Sequence, residues 1–378
     1  LMTNENNTNT SASNGENLIP SEVLASGKQI SFPDFNFYKI RTFCGKYIDI
    51  RGGSMDDLAY ALQYTGHNAD NQKFLIFTLD NNYSVIAAKH SGKVMDIWDT
   101  PNFPPGLPDI LTQYYFKNGD NQKFFIANDG SVAVKQDGRV LDVHDGRTSN
   151  DVPIIAYNYQ GSANQKFNLE KSGTVSIKPP TTGTLPPAPD FKTTNLDEEL
   201  PDDTTPVITH ATYLPYFMVK DPYYNAQQKI TNSPYYILVR RQYWEKKTQR
   251  VLAPSETYDY METTGVSRTD QTSMTETTEI SIGADLGFMF KGFSLGLSTS
   301  ITKSLSVTKS TSNTESTEIS KRVVYTNPFK YQIAYAKYML INEYYVTRSN
   351  GEMITSGDAS YWKVPDPERT VSRIIPRR

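Results

Sequence analysis

The chain carries a single cysteine, Cys44, so no internal disulfide can staple it and its stability must come from packing. That economy fits synthesis in a reducing compartment, with a later extracellular life left open. No stretch reaches the roughly 18 consecutive apolar residues of a membrane-spanning helix. The opening residues, LMTNENNTNTSASNGENLIP, hold neither a basic patch nor an apolar run, so a secretory signal is not expected there. Net charge is only −3, which offers no basic face to nucleic acid. The four histidines, His67, His90, His144 and His210, are scattered without metal-ligand spacing, and neither a metal nor a cofactor is expected. A Gly-x-Ser-x-Gly elbow, a phosphate loop and a Cys/His couple are all missing, so no catalytic residues are assigned.

What the 378 residues do hold is room for about two domains. Tyr, Thr, Ser and Asn are abundant, which favours strands and turns over helices. The expected class is all-β. Three copies of one phrase organise the first half: ADNQKF at 69–74, GDNQKF at 119–124 and SANQKF at 162–167. Each follows a matching element, KYIDI (46–50), KVMDI (93–97) or RVLDV (139–143). Asp49, Asp96 and Asp142 stand 22, 25 and 22 residues ahead of Asn71, Asn121 and Asn164. The middle unit is stretched by TPNFPPGLPDI (100–110), a proline-rich loop. Three units at a period of about 40–50 residues, built from short apolar runs, predict a closed threefold barrel.

These residues resemble the β-trefoil of ricin-B-type lectins, marked by a Gln-x-Trp or Gln-x-Phe repeated three times. Here the mark reads Gln72-Lys73-Phe74, Gln122-Lys123-Phe124 and Gln165-Lys166-Phe167, within residues 36–177. The phenylalanines are expected to plug the core. A sugar site needs a carboxylate and an amide for neighbouring hydroxyls, and an aromatic face for the apolar side of the ring. The resemblance implies the carbohydrate-binding sets Asp49/Tyr64/Asn71/Gln72, Asp96/Tyr114/Asn121/Gln122 and Asp142/Tyr157/Asn164/Gln165, each glutamine bracing its aspartate. The third unit departs least from the family pattern. Asp and Asn also close turns where no ligand binds.

Residues 1–35 begin as a polar, low-complexity run and read as a disordered arm. Residues 178–206, KPPTTGTLPPAPDFKTTNLDEELPDDTTP, read as a Pro- and acid-rich linker, extended and able to lie along a neighbouring surface. From 207 to 378 long aromatic strands take over, SPYYILVRRQYW (233–244) and KRVVYTNPFKYQIAYAKYMLINEYYVTRS (321–349), with Asn350-Gly351 as a turn.

Between them lies a parity pattern. Ile280, Ile282, Ala284, Leu286, Phe288 and Phe290 are apolar on even numbers. After Lys291-Gly292 the apolar set moves to odd numbers: Phe293, Leu295, Leu297, Ile301, Leu305 and Val307. A tight turn at Lys291-Gly292 puts both sets on one face, because side chains alternate along a strand. Phe290 then faces Phe293, Phe288 faces Leu295, Leu286 faces Leu297 and Ile282 faces Ile301. The other face (Ser281, Gly283, Asp285, Gly287, Ser294, Gly296, Ser298) is small and hydrophilic. Arms of about 11 residues match a tilted transmembrane strand, apolar toward lipid and polar toward a lumen. The pattern equally describes a half-buried strand pair of any antiparallel sheet. An open edge cannot sit in lipid, so membrane use requires several copies to pool their hairpins.

YFMVKDP (216–222), SPYYILVRRQYW (233–244) and PSETYDY (254–260), following a three-repeat trefoil, resemble the Bin-type binary toxin family of bacterial insecticidal proteins. The resemblance spans nearly the whole chain. It implies an elongated, aerolysin-like β-pore-forming domain over 207–378, production as intracellular crystals during sporulation, and proteolytic activation in an insect gut. The implied partners are midgut glycans or a glycoconjugate receptor, the target membrane, further copies of the chain (a dimer when soluble), and a second toxin component for some members. Residues 1–30 and PERTVSRIIPRR (367–378) are the segments expected to be trimmed. The competing reading is a lectin-targeted toxin that acts enzymatically or as the carrier of a binary toxin. Ser298-Thr299-Ser300 resembles the triplet of ADP-ribosyltransferases, but the acids Glu276/Glu279 and Glu315/Glu318 are three apart rather than two. No enzyme is expected.

Overall fold

Short apolar runs separated by Asn, Asp and Gly turns fold the first half into twelve strands around one core, in a computed structural model that describes residues 18–98, 107, 109–354 and 360–376. They are β1 (Asn36–Arg41), β2 (Tyr47–Ile50), β3 (Ala61–Tyr64), β4 (Phe74–Thr78), β5 (Ser84–Ala88), β6 (Val94–Trp98), β7 (Ile110–Tyr114), β8 (Phe124–Ile126), β9 (Val132–Val134), β10 (Val140–Val143), β11 (Val152–Tyr157) and β12 (Asn168–Thr174). All pairings are antiparallel, and the contacts β10–β11, β5–β6 and β1–β12 close the sheet on itself. The three units share one register: Asp49 pairs with Leu62, Asp96 with Thr112 and Asp142 with Ile155. Phe74, Phe124 and Phe167 are buried in one cluster with Ile48, Leu111 and Leu141. The expected core plugs are there, in a β-trefoil. The stretched loop at 100–110 lies mostly outside the described residues.

Residues 18–35 correct the expectation of a disordered arm. The helix α1 (Ser21–Ala25) buries Val23, which packs with Ile19 on Phe125, Ala133 and Val140. The Lys28 N–H donates to the Ile126 carbonyl at 2.8 Å. Two apolar residues spaced by four suffice to dock one turn of helix, a signal that average composition hides. Residues 1–17 lie outside the described part. The linker does lie along its neighbour: Ala188, Phe191 and Leu200 are buried against Ala334, Ala336 and Tyr338.

The second half is built on four long strands, β13 (Val207–Pro215), β14 (Tyr235–Leu252), β19 (Ile333–Arg348) and β20 (Trp362–Ile375), paired antiparallel in the order β13–β14–β19–β20. At about 3.3 Å per residue, β14 alone runs roughly 60 Å, so the domain is elongated. Under the sheet Asp221 is buried and takes a bidentate pair from Arg348 at 2.9 and 3.1 Å, plus the Tyr236 hydroxyl at 2.6 Å. The pair holds the Asp221 carboxyl below the usual range although burial opposes it. The tail at 367–375 belongs to β20, and Arg373 donates to the carbonyls of Ala188 and Pro189. This corrects its reading as a removable end, because cutting there would strip an edge strand.

A two-stranded ribbon, β15 (Thr257–Thr264) with β18 (Ile319–Thr326), runs off the sheet and brackets residues 265–318. Within the bracket lie α3 (Arg268–Thr278), the hairpin β16 (Ile280–Ile282) with β17 (Phe288–Phe290), a 3-10 turn at Gly292–Leu297 and α4 (Ser298–Leu305). The expected hairpin turning at Lys291-Gly292 is therefore not the pairing in this structure. Ile280 pairs with Phe290 and Ile282 with Phe288, around a turn at 283–287. There Gly287 N and Thr311 N donate to Asp285, and Leu286 adopts φ 64°. Beyond Lys291 the chain is helical, since Leu297, Ile301 and Leu305 recur every four residues and so share one helix face as well as one strand face.

One continuous core joins the two halves. Phe77 and Leu79 of the trefoil pack with Tyr216, Tyr235 and Phe293 of the second domain. The Tyr216 hydroxyl donates to the Gly92 carbonyl at 2.5 Å. Gly92 has φ +71°, and a Cβ there would lie 2.2 Å from the Ala226 oxygen. Gly92→Ala is expected to cost about 1–3 kcal/mol, read as a lower urea midpoint for the contact between domains. An unchanged midpoint would show that the domains do not depend on this seat.

Candidate functional site

Each Asn-Gln pair of the trefoil sits on a 3-10 turn (Asp70–Gln72, Asp120–Gln122, Ala163–Gln165) that aims both amides at the aspartate of the preceding strand. Asn71, Asn121 and Asn164 each donate to one carboxylate oxygen at 2.9 Å. Gln72, Gln122 and Gln165 donate to the other at 2.9, 2.8 and 2.9 Å. Each glutamine also closes a loop. Its amide nitrogen reaches the carbonyl of Thr65, Tyr115 or Asn158, and its oxygen accepts the N–H of His67, Lys117 or Gln160. The glutamines are fully used within the protein. The asparagine nitrogens are used too, since each donates again to the carbonyl of Ile50, Ile97 or Val143. What remains for a ligand hydroxyl is the asparagine oxygen and the second lone pair of each carboxylate oxygen, except at Asp49 Oδ2, which His67 Nε2 also meets.

The tyrosines end strands β3, β7 and β11, two residues beyond the partner of each aspartate, so aspartate and ring share a face. Tyr64 is 36% and Tyr157 43% exposed, as a stacking platform must be. In the second unit the exposed ring is Tyr115, at 47%, while Tyr114 is half-buried between Trp98 and Tyr115. The structure thus brings together all four residues of each predicted set and adds Tyr115 to the second.

The pockets differ at their rims. His67 bonds Asp49 at 2.9 Å in the first, where Gly52 and Gly53, both at φ +62°, let the chain curl over Asn71. The resulting open cavity measures about 710 Å³. Lys117 lies 4.7 and 4.8 Å from the Tyr114 and Tyr115 ring centres in the second. Burial pushes the Asp96 carboxyl up to about 6 against the pull of its amide donors, and Asp142 is raised for the same reason. His67, Lys117 and Tyr115 escaped sequence reasoning because they sit in loops outside the repeated phrase.

The amphipathic segment is the other candidate. Ile280, Ile282, Phe288, Phe293, Leu297 and Ile301 are buried, while Leu295 is 55% exposed. Phe293 is wedged 4.9 Å from both Phe116 of the trefoil and Phe217. A carboxylate of the trefoil holds the segment from outside: Asp80 accepts from Thr299 N at 2.9 Å and from the Ser300 hydroxyl at 2.8 Å, at the start of α4. In return Asp80 N donates to the Gly296 carbonyl at 2.6 Å. No sequence signal pointed to Asp80. Its role arises only when the two halves meet. Hydrogen bonds from Ser310 and Thr311 hold the Asp285 carboxyl down at about 2.

Comparisons with known proteins match both halves. The family described as Insecticidal Crystal Toxin, P42, matches residues 207–368, and the ricin-type beta-trefoil lectin domain-like family matches 33–108. The binary larvicide subunit BinB of Lysinibacillus sphaericus is 25% identical over 318 residues, covering 78% of this chain and 69% of the relative. The subunit BinA of the same organism is 24% identical over 298 residues, covering 76% and 77%. The crystal structure of Cry35Ab1 superimposes with a TM-score of 0.72 at 20% identity, covering 90% of this chain and 89% of that one.

Folded Asp96 titrates near 6 and an unfolded aspartate near 3.9. Between those values the folded protein holds the extra proton, so stability should fall as pH rises through the window. Asp96→Asn should flatten that slope in urea titrations between pH 4 and 6. A slope unchanged by the substitution would place the titration elsewhere.

Proposed function

We propose that the chain is a β-pore-forming protoxin of the Bin-type insecticidal toxins, a reading supported by its likeness to BinA, BinB and Cry35Ab1 and by the ricin-B-type trefoil at its N-terminus. The trefoil binds glycans or a glycoconjugate receptor on insect midgut cells, with Asp142, Asn164 and Tyr157 as the leading pocket. Copies then gather on the membrane, and residues 280–307 leave their pocket and enter the bilayer as a hairpin. The action is physical rather than enzymatic. Production in the bacterial cytoplasm as a spore-associated crystal, a soluble dimer, and trimming by gut proteases complete the reading. Lys28 is exposed just after the docked α1, so cleavage there would free that strap from the trefoil.

One observation carries the proposal: a segment whose apolar face is broken only by Thr299 and Lys303 has most of that face folded away between trefoil and sheet, with Ala284 and Leu295 left exposed, and is bracketed by a ribbon that is rich in hydroxyls. A protein with no use for that face outside its own core would not need to bracket it. The names of BinA and BinB as subunits of a binary larvicide favour a second reading, in which a partner chain completes the toxin. Dye release that occurs only when a second chain is added would support it.

An ideal Cβ on Gly296 lies 3.5 Å from the Leu79 Cβ, within the span of a disulfide. Leu79→Cys with Gly296→Cys, in a Cys44→Ser background, should bind gut vesicles when oxidised yet release no dye, and reduction should restore release. Undiminished release from the oxidised form would sink the insertion step. On glycan arrays Asp142→Ala and Tyr157→Ala should each weaken binding about tenfold or more. Binding unchanged in both would remove the third pocket.

A further inference from the structure

Two strand pairs border the apolar segment, and they carry different registers. β16–β17 pairs Ile280 with Phe290 and Ile282 with Phe288. β15–β18 runs without a shift from Thr257↔Thr326 to Thr264↔Ile319. Continued at the same one-for-one step, the β15–β18 register sets Ile282 opposite Ile301, Phe288 opposite Leu295 and Phe290 opposite Phe293. It closes on Lys291 and Gly292, and Gly292 supplies a positive φ, +54°. Those are the partners and the turn that side-chain parity picked from the sequence. Continuing β16–β17 instead sets Leu295 opposite Thr275 and Leu297 opposite Ser273, which puts apolar groups on the hydroxyl face.

We propose that β15–β18 is the preformed root of the membrane hairpin, that its register governs all of 257–326, and that the conduit so lined passes inorganic cations in preference to anions. The inference rests on the pore-forming reading above. Its first support is the continuity of faces. In β15, Tyr258, Tyr260 and Glu262 turn toward the sheet, whereas Thr257, Asp259, Met261 and Thr263 are exposed to solvent. Followed through the segment, the solvent-facing set from 263 to 289 and from 294 to 320 is Ser, Thr or Gly at every position but five. The five are Gln271, Glu279, Asp285, Met289 and Glu318. Three are carboxylates and none is a base, and nearer the root of the ribbon Asp259 on the same face is paired by Arg322 at 2.6 Å, so each copy lends a lumen net negative charge, which favours cations. The opposite face sets Glu262 against Lys321 and Arg268 against Glu315, cross-strand pairs of opposite sign. From Ile280 to the turn it is apolar apart from Thr299 and Lys303.

The second support is how poorly this stretch suits its soluble form. α3, RTDQTSMTETT, spends five of its eleven residues on threonine, a weak helix former that favours strands. The hydroxyls of Thr275 and Ser281 are buried with no hydrogen-bond partner among the described residues. In the extended register both would face water.

The test uses the full chain with Cys44→Ser, assembled on liposomes of gut-lipid composition and oxidised. Thr275→Cys with Thr308→Cys, partners in the proposed register, should cross-link in the membrane-bound oligomer, read by mass spectrometry of the digested protein. Thr275→Cys with Leu295→Cys, partners if β16–β17 set the register, should not. In planar bilayers under a potassium chloride gradient, permeability to potassium should exceed that to chloride several-fold, and Glu279→Gln with Asp285→Asn should move the ratio toward one. A conducting oligomer that cross-links 275 to 295, or one that prefers chloride, overturns this inference while leaving pore formation intact. Bound oligomers that never conduct overturn the pore-forming reading itself.

Discussion

The apolar side chains between Ile280 and Leu305 must be kept from water, and the soluble fold is arranged around that requirement. Burying each of Ile280, Ile282, Phe288, Phe293, Leu297, Ile301 and Leu305 is worth roughly 1.5–3 kcal/mol. Together that is of order 10–20 kcal/mol, comparable with the whole net stability of a domain. The cover is shared. The long sheet supplies Tyr344, which packs 5.2 Å from Phe288, and the trefoil supplies Phe116 and Leu79. A trefoil that is one wall of the pocket cannot be a tethered bystander. Anything that shifts it on a receptor surface acts directly on the segment.

The two halves therefore use their polar groups in opposite ways. In the trefoil the Asp–Asn–Gln clamps are complete without a ligand, because every amide nitrogen already has its acceptors. Their first duty is to hold three loops in the same pose. In the proposed function sugar recognition is added at the rim, by tyrosine faces and by whichever residue stands at the positions of His67, Lys117 and Gln160. Three equal frames thus present three unequal rims, and a glycan surface can be read by several of them at once. In the bracketed segment the polar groups are less settled, with the hydroxyls of Ser281 and Thr275 buried without a partner among the described residues. One half is rigid by satisfaction, while the other keeps part of its hydrogen bonding unspent.

Much of this was legible in the sequence, for a physical reason that also marks the limit. Repetition fixes a trefoil because each NQKF copy must make the same turn and plug the same core, so Phe74, Phe124 and Phe167 could be placed directly. The aspartates, asparagines and glutamines followed from the same spacing. The docked strap at Ile19–Val23 was hidden because two apolar residues vanish in a polar average, yet they suffice once Phe125 and Val140 offer a groove. Asp80 could not be read at all. A carboxylate in a β-turn of the first half acquires its meaning from Thr299 and Ser300, some 220 residues away. Contacts of that range leave no local pattern.

The segment itself was read correctly in its periodicity and differently in its soluble conformation, and the arithmetic of spacing explains both. A step of four is the one small interval that returns to the same face of a strand and nearly to the same face of a helix. Leu297, Ile301 and Leu305 take that step twice, so they line one side of α4 and would line one side of an extended arm. Ile280, Ile282, Phe288 and Phe290 share one face whether the chain turns at 283–287 or at 291–292. Which conformer forms is then decided by the surroundings. With the trefoil and sheet present as a dry wall, the compact arrangement wins, and Asp285 secures the nearer turn through Ser310 and Thr311. If that wall is replaced by acyl chains, the compact arrangement loses its cover, and unpaired backbone groups in lipid forbid anything but a closed ladder. Among the described residues, the ribbon β15–β18 is the paired strand end from which such a ladder can grow with the apolar groups of the segment, Met289 excepted, on one side.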